Sequence, residues 1–213
     1  MENHKKNYWM FKKTIFLLLI AVSSVSFAQR IKIDKKKLAF LKNETKVAVK
    51  LTFPEDLIIY SLHPEKEFIE NMKKKYDRKD NGNGDKWYQT YQTAKKETWR
   101  DAFLAGLHER LKTYSDLEFV TNDQETNYTL IIEADWIYTG YGGSASVGRE
   151  EGKLETTLRF VKTSESDSEV YATQAPKVIG NYAYGEFGDI ERIRECYNKL
   201  GYLLSLQLKR VLK

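Results

Sequence analysis

YTLIIEADWIYT, residues 128–139, is the stretch whose reading decides the fold. Strict alternation puts Leu130, Ile132, Ala134, Trp136 and Tyr138 on one face. Ile131, Glu133, Asp135 and Ile137 fall on the other, the pattern of a strand with one buried side. Downstream, KLETTLRFV (153–161) alternates again, with Leu154, Leu158 and Phe160 inward. SESDS (164–168) turns the chain and EVYATQAPKVI (169–179) returns it. Three such runs joined by turns read as an antiparallel meander. Upstream, KVAVKLTF (46–53) sends Val47, Val49, Leu51 and Phe53 one way and Lys46, Ala48, Lys50 and Thr52 the other, a fourth half-buried strand.

Between these runs the period changes. PEKEFIENMKKKYD begins with Pro64 and early acids, which suits the first turn of a short helix. RKDNGNGD (78–85) is a loop by composition, and Asp85 is placed to cap a long helix over 86–113. At 100° per residue, Tyr88, Trp99, Ala102, Phe103, Gly106, Leu107 and Tyr114 make its apolar stripe, with Lys95 and Arg110 on the same side. Asp189 is placed to cap a last helix with the stripe Ile190, Ile193, Cys196, Tyr197, Leu200, Leu203, Leu204, Leu208 and Val211. The sum is an α+β fold, a two-layer sandwich in which a mainly antiparallel sheet packs against two amphipathic helices. It forms one domain over 46–213, preceded by an extension at 29–45.

The first 28 residues read as a cleavable signal peptide. Lys5, Lys6, Lys12 and Lys13 form a basic region, TIFLLLIAV is apolar, and Ser26-Phe27-Ala28 provides small residues for cleavage after Ala28. A membrane anchor would need roughly 20 apolar residues, and Ser23, Ser24 and Ser26 interrupt the run. The expectation is an exported protein, periplasmic or extracellular, with no integral span after cleavage. These 28 residues hold four Lys and one Glu, so cleavage lowers the net charge from +5 to +2. The remaining basic and acidic residues are interspersed, which lacks the electrostatic footprint of a nucleic-acid binder. Cys196 is the one cysteine, so an intramolecular disulfide is impossible. Its place on a helical stripe marks it as a small buried hydrophobe.

YGGSASVGRE (141–150) approaches a phosphate loop, since Gly143 and Gly148 have the G-x-x-x-x-G spacing. Arg149-Glu150 then stands where Lys and Ser or Thr belong, and an alternating strand follows instead of a helix. The segment is therefore a hairpin connection, long for its kind. Chain parity brings this loop, 140–152, and GNYAYGEFG, 180–188, to the same end of the sheet. Tyr138, Tyr141, Arg149, Tyr182, Tyr184 and Phe187 then gather there as candidate ligand- or partner-binding residues. Tyrosines on glycine hinges offer apolar faces with polar tips, suited to sugar rings or protein surfaces.

Glu133 and Asp135, two apart on a strand, are the candidate carboxylates for an alternative reading as a hydrolase of envelope saccharide or peptide. Lys153, Glu155 and Arg159 on the next strand supply cross-strand ion pairs that account for the same residues. His63 and His108 lack metal-ligand spacing, and DNGNGD departs from the calcium-loop pattern, so neither metal nor cofactor is implied.

EKEFIENMKKKYDRKDNGNGDKWYQTYQTAKKETWRDAF (65–103), with its Gly82-Asn83-Gly84-Asp85-Lys86-Trp87 loop, and NYTLIIEADWIYTGY (127–141) resemble a family of small exported proteins of Gram-negative bacteria. In that family a G-x-G-D-x-W loop precedes a long helix. The resemblance spans about Lys46 to Lys213 and implies the α+β fold without implying an activity. The reading of the whole chain is a non-catalytic binding or adaptor protein of the cell envelope, whose partner is an envelope protein or glycan.

Overall fold

The computed structural model describes residues 30–60, 62–121, 124–142 and 148–213. Residues 1–28, expected to be a signal peptide, and the glycine-rich centre 143–147 of the first loop lie outside them.

Strand β1 (Lys46–Thr52) is followed by two short pieces, β2 (Ile58–Ile59) and β3 (His63–Pro64). Helix α1 (Glu65–Asp77) leads to α2 (Asn83–Thr93), a π turn at Ala94–Thr98 and α3 (Trp99–Leu111). Strands β4 (Glu118–Val120), β5 (Tyr128–Tyr138), β6 (Lys153–Lys162) and β7 (Glu165–Ile179) precede the last helix, α4 (Gly188–Leu212). The α+β class holds. The sheet is mixed, however, and not mainly antiparallel. The meander β5–β6–β7 is antiparallel as the alternation predicts. On the other side of β5, β1 pairs with it in parallel, β4 pairs parallel with β1, and β2 pairs parallel with β5. The helical connection from β1 to β4 makes this possible, because parallel neighbours need a long crossover. In place of two helices, α1, the α2–α3 rod and α4 cover the sheet.

β5 is the hinge of this arrangement. β1 runs beside Thr129–Glu133 and β2 takes over beside Trp136–Ile137. At the handover the register with β6 slips between Ala134 and Trp136, leaving Asp135 as the extra residue of a bulge. One extra residue exchanges the two faces of everything beyond it. Leu130, Ile132 and Ala134 are buried as expected, but the inward residue above the bulge is Ile137. Trp136 and Tyr138 point to the opposite, open face, which corrects their assignment to the face of Leu130, Ile132 and Ala134.

The π turn does for the helix what the bulge does for the strand. It accommodates an additional residue, so the buried series runs Trp87, Tyr91, Ala94 and then Trp99, Phe103, Leu107, Leu111. Tyr88, expected on the stripe, is only partly buried. Lys95 turns in to pair with Glu65, which also accepts from the Tyr91 hydroxyl at 2.6 Å. Arg110 stays exposed and lies over Tyr202.

α3 and α4 cross with backbone in contact. A Cβ at Gly106 would lie 1.9 Å from the carbonyl oxygen of Asn198, and one at Gly201 would lie 2.1 Å from that of Phe103. Neither expected cap is used. Gly82, at φ 87°, precedes α2, and the Asp77 carboxylate accepts from the N–H groups of Gly82 and Gly84 at 3.1 and 2.8 Å. Asp85 instead pairs with Lys73 at 2.7 Å. Asp189 lies inside the first turn of α4 and makes no cap hydrogen bond there. The extension rests on the domain, with Ile31, Leu38 and Leu41 buried and Thr173 Oγ1 donating to the Lys32 carbonyl at 2.7 Å.

Candidate functional site

Both loops do meet at one end of the sheet. Tyr141 and Glu150 face each other in an antiparallel bridge with N–H···O distances of 3.2 and 2.9 Å, and Gly180 N–H donates to Gly152 O at 3.1 Å. Arg149, from the first loop, donates to the Tyr184 hydroxyl at 3.1 Å and lies 5.0 Å from the Tyr182 ring centroid. Tyr182 and Tyr184 pack edge to face at 4.6 Å. Tyr184 is 74 % exposed and Tyr141 39 %. Four of the six candidates, Tyr141, Arg149, Tyr182 and Tyr184, therefore line one rim.

Phe187 and Tyr138 sit differently. Phe187 packs edge-on against Tyr76 at 5.1 Å, where it covers the start of α4. Tyr138, beyond the bulge, belongs to a stack on the open face, with Trp136 at 5.9 Å and Tyr60 at 5.3 Å. Its hydroxyl donates to Glu150 at 2.6 Å. Desolvation and that carboxylate raise the Tyr138 pKa, and hydrogen bonds from Lys153 and then Tyr138 lower that of Glu150.

Glu133 and Asp135 are held by the neighbouring strand. Arg159 donates to Glu133 at 2.9 Å, and Thr157 Oγ1 donates to Asp135 at 2.9 Å. Partial burial raises the Asp135 pKa, opposed by the Thr157 hydrogen bond. The two carboxylates lie on the open sheet face and do not face each other across a cleft. Lys177 pairs with Glu155 at 3.1 Å on the same face. His63 pairs with Glu67 at 2.8 Å, and His108 Nε2 accepts the Phe119 N–H at 3.1 Å. Among the described residues no cluster of His, Cys, Asp or Glu is arranged to hold a metal. Cys196 is fully buried, with its thiol donating to Arg192 O and burial pushing its pKa up to about 12.

Beneath the rim lies a cleft that the sequence reading did not find. One cavity of about 300 Å³ lies between α1 and residues Thr139–Gly142, and a second of about 260 Å³ lies under Tyr182–Gly188. The two share Lys75, Gly142, Asp189 and Arg192. Asp189 is buried and accepts from the Tyr76 hydroxyl at 2.6 Å and from Trp87 Nε1 at 2.7 Å. It thereby ties α1 and α2 to α4. Arg192, one turn on, donates through Nε to Thr139 O at 2.7 Å and through Nη2 to Gly140 O at 3.4 Å. Tyr60 closes one side, in the left-handed region at φ 65°, and is the one described non-glycine residue with positive φ. A larger groove, about 780 Å³, lies elsewhere, between β1 and the π turn. It is more open, and its Lys95 is already committed to Glu65.

No family model matches the chain, and no curated protein matches it. Among solved structures, a candidate neuraminyllactose-binding hemagglutinin homolog from Helicobacter pylori aligns over 81 % of this chain and 84 % of its own, with 12 % identity and a TM-score of 0.28. A superposition of that quality decides neither fold nor ligand. Among the described residues no helix is long and apolar enough to cross a membrane.

Proposed function

We propose that this chain is a non-catalytic binding or adaptor protein of the cell envelope. It meets a protein or glycan partner at the end of the sheet where 140–152 and 180–188 converge. The observation that carries the reading is the clasp of Arg149 by Tyr182 and Tyr184, an aromatic–cation surface assembled from two loops over an open cleft. Such surfaces contribute contact area at little cost in side-chain entropy. The carboxylates that a hydrolase would need are engaged elsewhere: Glu133 with Arg159, Asp135 with Thr157, Asp189 with Tyr76 and Trp87. The signal-peptide pattern of residues 1–28 supports the envelope address.

The test is in-cell photocrosslinking from position 184, the most exposed ring of the rim, with an exposed position on β7 such as 174 as control. A recurrent protein or glycan adduct at 184 and none at 174 is expected. A clean monomer at both positions would refute the loop-end reading.

A further inference from the structure

The floor of the cleft holds a guanidinium that makes no direct ion pair among the described residues, with the buried Asp189 carboxylate one helical turn away. Arg192 is 6 % exposed, and a guanidinium is costly to take out of water unless it is paired. Its Nε and Nη2 are given to two backbone carbonyls, which are neutral acceptors. No carboxylate among the described residues pairs with it, and its Nη1 has no hydrogen-bond acceptor there. Gly142 and Gly188 let the backbone come close to Nη1, since a Cβ on either would lie 3.7 or 3.0 Å from it, and the Tyr182 ring lies 5.8 Å from the guanidinium carbon. The backbone of Tyr60 is held in its strained conformation by two hydrogen bonds. Its N–H donates to Ile137 O at 2.8 Å, and its carbonyl accepts from Trp136 Nε1 at 3.1 Å. Strain that the surroundings enforce on a cavity wall is a mark of a ligand site.

We propose that the cavity of about 300 Å³ binds a carboxylate carried on a single ring-sized body. The carboxylate takes the free Nη1 of Arg192, with Lys75 at the rim, and the ring lies among Tyr60, Phe68, Met72 and Tyr141. The proposal rests on the reading of the loop end as a binding surface and gives that surface its ligand chemistry. Three features choose the ligand. A planar guanidinium with spare donors matches a carboxylate in shape as well as charge. Aromatic and thioether walls suit an apolar ring face. Asp189 lines the same cavity, so a dianionic phosphate would set two charges against a fixed negative one where a carboxylate sets a single charge. The volume lies at the small end of ligand cavities, which limits the body to about one ring.

The experiment is ¹⁹F NMR titration of the exported chain with 4-fluorobenzoate and with 4-fluorobenzyl alcohol, its neutral counterpart. Saturable binding of the benzoate is expected, with the alcohol weaker by about ten- to a hundredfold, the worth of a charge-assisted hydrogen bond. Inorganic phosphate should displace the benzoate no better than chloride at matched ionic strength. Arg192→Met should abolish binding. If that variant does not fold, Lys75→Ala, at an exposed rim position, should still weaken the benzoate while leaving the alcohol unchanged. Equal binding of the two probes, displacement by phosphate, absence of saturation in the millimolar range, or indifference to Lys75→Ala would each overturn the proposal. Benzoate binding without adducts at position 184 would sink the partner reading alone, and adducts without benzoate binding would sink the carboxylate site alone.

Discussion

Alanine in place of a helical glycine ordinarily stabilises, by about 1 kcal/mol in an unencumbered helix. Gly201→Ala should do the reverse. The added Cβ would lie 2.1 Å from Phe103 O and 2.8 Å from Leu107 N. A carbon needs about 3.3 Å from a carbonyl oxygen, so the shortfall is about 1.2 Å. Both obstacles are backbone atoms of α3, which cannot rotate aside, so the helices must part. Trp99, Phe103, Leu107, Tyr197, Leu200 and Leu204 are all fully buried. A gap of about 0.5–1 Å forfeits a quarter to a half of each dispersion contact it opens. A clash this large belongs at the upper end of the range of about 1–3 kcal/mol that overpacking costs, which leaves a net loss of about 2 kcal/mol after the propensity gain. Urea unfolding of the wild type, Gly201→Ala and Gly106→Ala is the assay. Both variants should lower the midpoint, by about 0.5–1 M, with the slope unchanged. A midpoint at or above the wild-type value would show that the helices do not touch at this crossing.

Asp189→Ala strands two buried donors, the Tyr76 hydroxyl and the Trp87 indole N–H, and should cost about 2–5 kcal/mol; a loss no larger than that of Tyr76→Phe would contradict this. Burial and, secondarily, Lys112 lower the His108 pKa, so the unfolded chain binds the proton more readily. The contribution is fully present above the unfolded value of about 6.5 and is lost as pH falls through that value and the lower folded one. Thermal unfolding between pH 8 and 5 should therefore fall more steeply in the wild type than in His108→Gln, and parallel curves would refute the assignment. Cys196, with its pKa pushed up to about 12 and its side chain buried, should resist a thiol reagent at pH 8 until urea unfolds the chain. Labelling at the free-thiol rate in the folded state would refute its burial.

What could be read from the sequence was what neighbours along the chain determine. The inward face of β6 follows from Leu154, Leu158 and Phe160 alone. So does the convergence of Arg149 with Tyr182 and Tyr184, because a meander alternates direction whatever its partners do. Parallel pairing of β1 with β5 depends on where α1, α2 and α3 carry the chain, and no local pattern records it. The bulge left a faint trace: Ile137 stood apolar on a face assigned to Glu133 and Asp135. The π turn left another, the spacing of five from Ala94 to Trp99 among side chains that are all buried. Arg192 was illegible because an arginine amid IERIREC looks like any solvated helical residue. Only the approach of Thr139 and Gly140 from another element turns it into a floor.

The backbone contact between α3 and α4 has a mechanical consequence for the cleft. With Gly106 against Asn198 and Gly201 against Phe103, neither helix can slide along the other without steric collision. The wall that carries Arg192 is therefore stiff. The opposite wall, α1, is tied to α4 through a side-chain hydrogen bond from Tyr76 and an edge-on ring contact with Phe187. Compliance is thus concentrated on one side. Occupancy would register as slowed amide exchange across 65–77, while α4 stayed silent.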